Sequence, residues 1–577
     1  MAKKGSQNGI AKVLPIADWL TTYNHDKFNS DIFAGIITAI LFVPQGIAYA
    51  MLAGLPAQVG LYASILPPLI YAFLGTSRTL SVGPVSIAAI MIASALAAPE
   101  LSQYGVAVEH AIILAAEGGI ILLLMSFFRM GGLVKFISHP VLSGFTSGAA
   151  ILIIFSQLPH LFGITENDCG LDLTCQAQLI NPYSSALGLL SIALLIMMAK
   201  PLTHLLKSKS IPEKWATGIS RTAPLLTIVT TTLLVSFFQL YDHQDVDIVG
   251  QIPSGLPDLS VAFLFSSREH WVALLPSAIF ISLIAYVESV AIAIVTANLR
   301  NEKIDTNQEL IALGTANIAT AFSGGMSVAG GFSRTMVNFS AGARTQLSMI
   351  IAVVLLAIAL VSFTEQFTHI PKTALAAIIL VAIIPLIKIR EIVEVFHHDR
   401  ADAATQLITL LAVLVLGIEE GVVLGVLVTI ILFLRRTSLP HIAVVGQVEG
   451  TQQFKNIERH SVTTWPNLLL VRVDENITFA NIAYITDFVN DQADQGPEID
   501  HIVLECSSVS YIDTTAFEAL NSFVKGLENR NITLNLSEVK GPVMDALSKV
   551  HIEQTLSKGH IFFHTLDAIK ALTKVSL

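Results

Sequence analysis

Residues 32–77 read IFAGIITAILFVPQGIAYAMLAGLPAQVGLYASILPPLIYAFLGTS, without one aspartate, glutamate, lysine or arginine. A helix crosses the hydrocarbon core of a bilayer with roughly 20 apolar residues, and this stretch exceeds that length. The same absence of charge recurs over residues 79–99, 136–165, 222–241, 310–333, 345–364, 373–386, 403–418 and 421–434. On that criterion the chain holds about 14 candidate spans, several of them short. Composition agrees: 53% of the 577 residues are hydrophobic and 13% are charged, against about 25% charge in soluble domains. The net charge of −10 argues against nucleic acid as a partner.

The loops set an orientation through the excess of lysine and arginine on the cytoplasmic side. Lys3, Lys4, Lys12 and Lys27 place the N-terminus inside. Arg129 with Lys135, then Lys200, Lys207, Lys209, Lys214 and Arg221, then Arg300 with Lys303, then Lys388, Arg390 and Arg400, and finally Arg435 with Arg436, mark further inside loops. Alternate loops are acidic: one has Glu166, Asp168 and Asp172, another Asp242, Asp245, Asp247 and Asp258. An even number of spans with both termini cytoplasmic fits this pattern. Residues 1–29 are polar and lack the apolar core of a cleavable signal, so they read as a cytoplasmic N-terminal segment. With no targeting segment and short termini, a bacterial inner membrane is the expected location. Cys169 and Cys175 share an outside acidic loop, where they are either a disulfide or two thiols.

A weak internal echo suggests a repeat. Ala72-Phe73-Leu74-Gly75 matches Ala321-Phe322-Ser323-Gly324, and about ten residues further on stand Gly83-Pro84-Val85-Ser86 and Phe332-Ser333-Arg334-Thr335. Both copies are rich in Gly, Ser and Thr and precede a short run. Such a stretch is extended backbone opening into a half-helix, whose N-terminal N–H groups and partial positive charge suit an anion. The competing reading is tight helix packing through small residues.

Three charged residues lie well inside the apolar runs: Glu117, Glu288 and Arg334. Each costs at least ~2.5 kcal/mol at the bilayer centre and so needs a partner or a purpose. The planar guanidinium of Arg334 suits a tetrahedral oxyanion. Glu288 is balanced between burial and Arg334, and its protonation would release Arg334 to the anion, coupling two fluxes. A purely structural Glu288–Arg334 ion pair is the alternative. Glu117, between Ala116 and Gly118, reads first as a helix-packing contact.

Asp31-Ile32-Phe33-Ala34-Gly35, Val43-Pro44-Gln45-Gly46-Ile47-Ala48-Tyr49-Ala50, Leu52-Ala53-Gly54-Leu55-Pro56, Gly60-Leu61-Tyr62, Gly75-Thr76-Ser77-Arg78, His139-Pro140-Val141 and Gly144-Phe145-Thr146 resemble the sulfate permease (SulP) family over nearly the whole chain. The resemblance implies an α-helical polytopic membrane protein of 7+7 inverted repeats, with a core domain moving against a gate domain in an elevator-like manner. It implies an anion held by Val85 and Ser86 and by Ser333, Arg334 and Thr335, completed by Gln45, Tyr49 and Glu288. Family members with Glu at the Glu288 position couple to protons, so the proton is the expected coupling ion, sodium less so, with no cofactor and no metal. Sulfate is the expected substrate; bicarbonate, chloride or a C4-dicarboxylate is the alternative within the family. A channel-like or signalling anion sensor is a third class. No nucleophile, metal cluster or phosphate loop points to an enzyme.

Beyond Arg436 charge returns and strand-like runs (467–473, 502–505) alternate with a helical run (515–527), an α/β pattern. This segment resembles a STAS domain. The expected organisation is thus a transport domain over 30–436 and a cytoplasmic STAS domain over 437–577. The resemblance aligns Asp513-Thr514-Thr515 with a phosphorylated position, making Thr514 a candidate phosphosite, whereas the residues alone favour simple helix capping there. A homodimer and a regulatory protein at the STAS domain are the expected partners.

Overall fold

The computed structural model describes residues 14–21, 23–97, 107–132, 138–164, 180–198, 201, 222–496, 498–549, 556 and 558–573. Lys3, Lys4, Lys12, Lys135, Glu166, Asp168, Cys169, Asp172, Cys175, Lys200, Lys207, Lys209, Lys214 and Arg221 lie outside the described residues, and with them the proposed disulfide. The chain divides into two compact units, Met1–Val426 and Leu427–Leu577, a division that falls inside the last long apolar helix.

The first unit is helical. In chain order it comprises α1 (His25–Leu52), α2 (Ala57–Tyr62), α3 (Leu66–Leu74), the two-residue strand β1 (Val82–Gly83), α4 (Ser86–Leu96), α5 (Ala107–Phe127), α6 (His139–Phe162), α7 (Pro182–Met198), α8 (Ala223–Phe237), α9 (Arg268–Asn298) and α10 (Thr306–Phe322). It continues with β2 (Ala329–Gly330), α11 (Phe332–Ser340), α12 (Leu347–Ser362), α13 (Lys372–Ile383), the amphipathic α14 (Ile389–His398), α15 (Arg400–Leu416) and α16 (Ile418–Ser438). Among the described residues seven helical segments are long and apolar enough to cross a membrane, with α2 and α3 counted as one and α13 and α14 as another, and α4, α7, α8 and α12 are shorter apolar helices.

The repeat seen in the sequence has a physical counterpart. β1 and β2 pair antiparallel, Val82 opposite Gly330 and Gly83 opposite Ala329, and each strand leads into a half-helix. The half-helices begin at Ser86 and Phe332, so the structure matches Ser86 to Phe332, a few residues out of step with the spacing extrapolated from the Ala-Phe echo. Backbone contact also fixes where α1 meets α2: a Cβ on Gly60 would lie 1.9 Å from the Gly46 carbonyl oxygen, a close approach typical of membrane helices.

Two buried carboxylates add to the three charges expected in the apolar runs. Asp31 and Glu309 are fully buried. Both stand within the first two turns of their helices, where distant segments deliver donors that the linear sequence does not announce. Asp31 accepts from the Arg344 N–H (2.5 Å), the Thr345 N–H (3.1 Å), the Thr345 hydroxyl (2.6 Å) and the Tyr23 hydroxyl (3.2 Å). Glu309 accepts from the Tyr71 hydroxyl (2.7 Å) and from the N–H (2.7 Å) and hydroxyl (2.6 Å) of Thr76. Glu309 thereby ties α10 to the end of α3, its counterpart in the other repeat. Glu117 is buried in α5, where neighbouring Gly118 faces Ser282 of α9.

The second unit is a six-stranded sheet of order β4-β3-β5-β6-β7-β8. Its strands are β3 (Ile442–Gln447), β4 (Phe454–Asn456), β5 (Leu468–Val473), β6 (His501–Glu505), β7 (Thr533–Ser537) and β8 (Ile561–Phe562). β5 to β8 run parallel, and β3 is antiparallel to β4 and β5. Alternation along the strands sorts side chains by face. Leu469, Val471, Ile502 and Leu504 pack with residues of α17 (Ile482–Gln495) and α18 (Thr514–Glu528). Leu468, Leu470 and Val503 pack with Ala568 and Ile569 of a C-terminal helix, α20 (Thr565–Thr573); α19 (Gly541–Lys549) precedes β8.

Candidate functional site

Neither half-helix is capped by a side chain. Val85 precedes α4 and Gly331 precedes α11 in extended conformation, and neither end has a side-chain cap. The first intrahelical bonds are Ala89 N–H to the Val85 carbonyl and Thr335 N–H to the Gly331 carbonyl, both 2.9 Å. The N–H groups of the first turns are therefore the orphan donors of each helix start. The strand pair holds them in place. The Gly330 N–H donates to the Ser289 hydroxyl of α9 at 2.7 Å, and the Gly331 N–H to the Ser81 carbonyl at 2.9 Å. Asn317 of α10 grips Val328 from both sides, donating to its carbonyl and accepting from its N–H, each at 2.9 Å.

Arg334 is 1% exposed and the largest side chain buried to that degree. Its Nη1 donates to Gln45 Oε1 at 3.3 Å, and its guanidinium carbon lies 5.4 Å from the centre of the Phe42 ring. Nε and Nη2 have no hydrogen-bond partner among the described residues. A buried guanidinium with two unused donors has the chemistry to receive an anion, because leaving such donors unpaired is costly. Gly83 keeps the space open: at φ +155°, a Cβ there would meet Arg334 Nη2 at 3.0 Å and the Phe42 ring at 3.4 Å.

A cavity of about 60 Å³ lies against this group, lined by Gln45, Tyr49, Val85, Ser86, Glu288, Ser333 and Arg334. That exceeds the ~10–15 Å³ that admits one water. Seven of the eight residues expected on substrate and proton thus meet in one place, contributed by α1, the α4 start, α9 and the α11 start. Thr335 does not join them. It is fully buried, and its hydroxyl accepts from the Ser81 N–H at 3.0 Å. One position past Arg334 on a helix turns a side chain by about 100°, which points Thr335 at the strand and gives it a positioning task. Glu288 Oε2 has no hydrogen-bond partner among the described residues, and Glu288 and Arg334 form no ion pair there. The purely structural ion pair, the alternative reading of these two residues, is accordingly not formed among the described residues. Phe332, Gly331, Ala382, Ile383 and Leu386 also line the cavity. The last three, from α13 and the turn after it, carry no polar signal that a sequence reading could catch.

In the second unit, Asp513 caps α18: its carboxylate accepts from the Ala516 N–H and from the Phe479 N–H, both at 2.8 Å. Thr514, the first residue of α18, is exposed. No group of three or more His, Cys, Asp or Glu residues suited to a metal occurs among the described residues.

Half-helices meeting through a short ladder beside a buried, under-used guanidinium, inside a bundle of apolar helices, define a polytopic membrane transporter. The chain belongs to the sulfate permease family, whose profile matches residues 28–409, followed by a STAS domain over residues 459–569. "Sulfate transporter 4.1, chloroplastic" of Arabidopsis thaliana is 32% identical over 97% of this chain and 82% of its own length. "High affinity sulfate transporter 1" of Stylosanthes hamata is 30% identical over 97% and 86%. The fold is that of the murine Solute Carrier 26 family member A9 anion transporter, at a TM-score of 0.87 and 21% identity, covering 100% of this chain and 97% of that one. The transmembrane domain of the cyanobacterial bicarbonate transporter BicA aligns at 0.58 over 71% of this chain and 98% of its own, with 21% identity.

Proposed function

We propose that this anion transporter carries sulfate together with protons, binding the anion at Arg334 between the two half-helix starts. One observation carries the reading: Arg334 is buried with Nε and Nη2 unpartnered among the described residues, beside a cavity that also holds Glu288. A tetrahedral dianion accepts from both free guanidinium donors and from helix N-terminal N–H groups. Sulfate is preferred because relatives about 30% identical over nearly the full chain are sulfate transporters. Protonation of Glu288 removes a negative charge beside the site and favours entry of the anion; its loss favours release. The site rests on α1, α4, α9 and α11 and faces α13. Alternating access is then a sliding of the first group along the second. The protein works as a homodimer in the inner membrane with both termini cytoplasmic, and its STAS domain receives a regulatory protein.

Purified protein in liposomes, labelled sulfate and an imposed pH gradient test this. Uptake is expected to rise with an inward proton gradient, and Glu288→Gln is expected to abolish that dependence while sparing sulfate exchange. Uptake indifferent to the gradient removes the proton. No uptake of labelled sulfate, with uptake of labelled bicarbonate, chloride or fumarate instead, reassigns the substrate.

A further inference from the structure

A second cavity, of about 200 Å³, opens along the same seam as the Arg334 site. It is lined by Ala48 and Met51 of α1, Leu55 just beyond it, Gln157 and His160 of α6, and Lys372, Leu375, Ala376 and Ile379 of α13. The helical register places it next to the first cavity. Ala48 follows Gln45 by three positions, and Ile379 precedes Ala382 and Ile383 by three and four, so the two cavities stand about one turn, or ~5.4 Å, apart on both helices. The direction is from the Arg334 site toward the end of the unit where α1 and α6 finish and α13 starts.

The polar groups of this cavity suit an anion. Lys372 is the first residue of α13, which has no side-chain cap. A cation at a helix N-terminus opposes the helix dipole, so its presence there calls for a negative partner. Asp247 offers part of one: Lys372 Nζ lies 3.6 Å from Asp247 Oδ2, a long contact between groups that are respectively 31% and 42% exposed. Gln157 is 5% exposed, its amide nitrogen donating only a 3.4 Å bond to the Ser156 hydroxyl. His160, one turn beyond it, adds ring nitrogens. The side chains of Lys372, Gln157 and His160 bring an ammonium, an amide and an imidazole to the lining of an otherwise apolar space, while the Lys372 N–H is already taken by the Asp247 carbonyl at 3.0 Å.

The geometry points to a second station for a small inorganic oxyanion, formed by Lys372, His160 and Gln157, on the path between the Arg334 site and the membrane face at the start of α13. This inference rests on the transport reading of the Arg334 cavity. It makes Lys372 a binding group for the anion in transit, not only half of an ion pair with Asp247.

The test uses full-length protein reconstituted in a known orientation, with labelled sulfate offered from each face in turn. Lys372→Gln is expected to raise KM about tenfold from the face at the start of α13, the loss expected of one charged hydrogen bond. From the opposite face KM should stay put, as should equilibrium sulfate binding by Arg334. Gln157→Leu, which keeps an uncharged side chain of similar size, should give a smaller shift with the same sidedness. Asp247→Asn frees Lys372 and should leave KM equal or lower. The inference is overturned if Lys372→Gln changes both faces equally or neither, or if Asp247→Asn reproduces it, since the ion pair would then explain Lys372. Failure of the Arg334 reading looks different: Arg334→Ala would keep full sulfate binding, whatever the sidedness of Lys372→Gln.

Discussion

Arg334 uses one nitrogen on Gln45 and faces Phe42, Gly83 and Gly331 with the rest. Replacing it by lysine preserves the charge but discards the planar fork. Arg334→Lys is expected to weaken sulfate binding by about 10- to 100-fold, the range of one to two charge-assisted hydrogen bonds, as measured by binding to detergent-solubilised protein. Gly83→Ala tests the space around the fork. Its methyl would press on Nη2 from 3.0 Å and on the Phe42 ring from 3.4 Å, and a side chain at φ +155° is itself strained, so sulfate affinity should fall along with some of the thermal midpoint. Wild-type affinity in that variant would mean that the fork does not need this clearance. Most of this chemistry was legible in the sequence, because an arginine in a charge-free run has few explanations. Thr335 lies outside the cavity for a reason of geometry: adjacent residues on a helix share a sequence motif but not a direction.

At the scale of the elements, the ladder of β1 with β2 and its brackets decide where the half-helices start. Asn317 satisfies both backbone groups of Val328. Asn317→Ala strands a buried donor and a buried acceptor, each costing about 1–3 kcal/mol, and should lower the thermal midpoint of the purified transporter with a loss of sulfate uptake. An unchanged midpoint would show that the Val328 segment finds other partners. The spans themselves were readable as absences of charge. The pairing of the repeats was not: Tyr71 and Glu309, or Asp31 and Thr345, are hundreds of positions apart in the chain, and no local pattern signals that a carboxylate at one helix end will meet donors from another. The same blindness hid the place of α13 at the cavity, which its Ala382 and Ile383 wall without any polar mark.

The whole molecule joins a membrane unit to a sheet domain whose stability follows its own pH course. Burial alone would raise the Asp474 carboxyl, but hydrogen bonds from Arg472 (2.6 Å) and His441 (2.7 Å) outweigh it and hold it below the usual carboxylate range. A depressed carboxyl stabilises the fold above its unfolded value near 3.9 and gives up that stability as pH falls through its folded value. Asp474→Asn should therefore destabilise the sheet domain at neutral pH and flatten its acid limb below about pH 4, read as domain-specific unfolding in the full chain. The buried Cys506 thiol is pushed up to about 12 by burial and by Glu505, so thiol-directed reagents at neutral pH should leave it unlabelled until the domain opens.

Mobility across the membrane unit can be examined with cross-links. Cysteines at Gly118 and Ser282, where the two Cβ atoms would be 3.5 Å apart, join α5 to α9 and should be harmless to uptake. A bifunctional reagent bridging Ala48→Cys and Ile379→Cys, on opposite walls of the second cavity, should stop it. Main-chain bonds from Val82–Gly83 to Ala329–Gly330 stitch the two mouths of the receptor to each other, so the pocket cannot loosen its grip by parting its own halves. On the sliding proposed above, the α13 wall of Ala382 and Ile383 changes while the paired helix starts stay together. The grip of the two helix starts should then be equal toward the outside and the inside solution, and on the proposed proton coupling the driving energy enters at Glu288 and not through a parting of these starts.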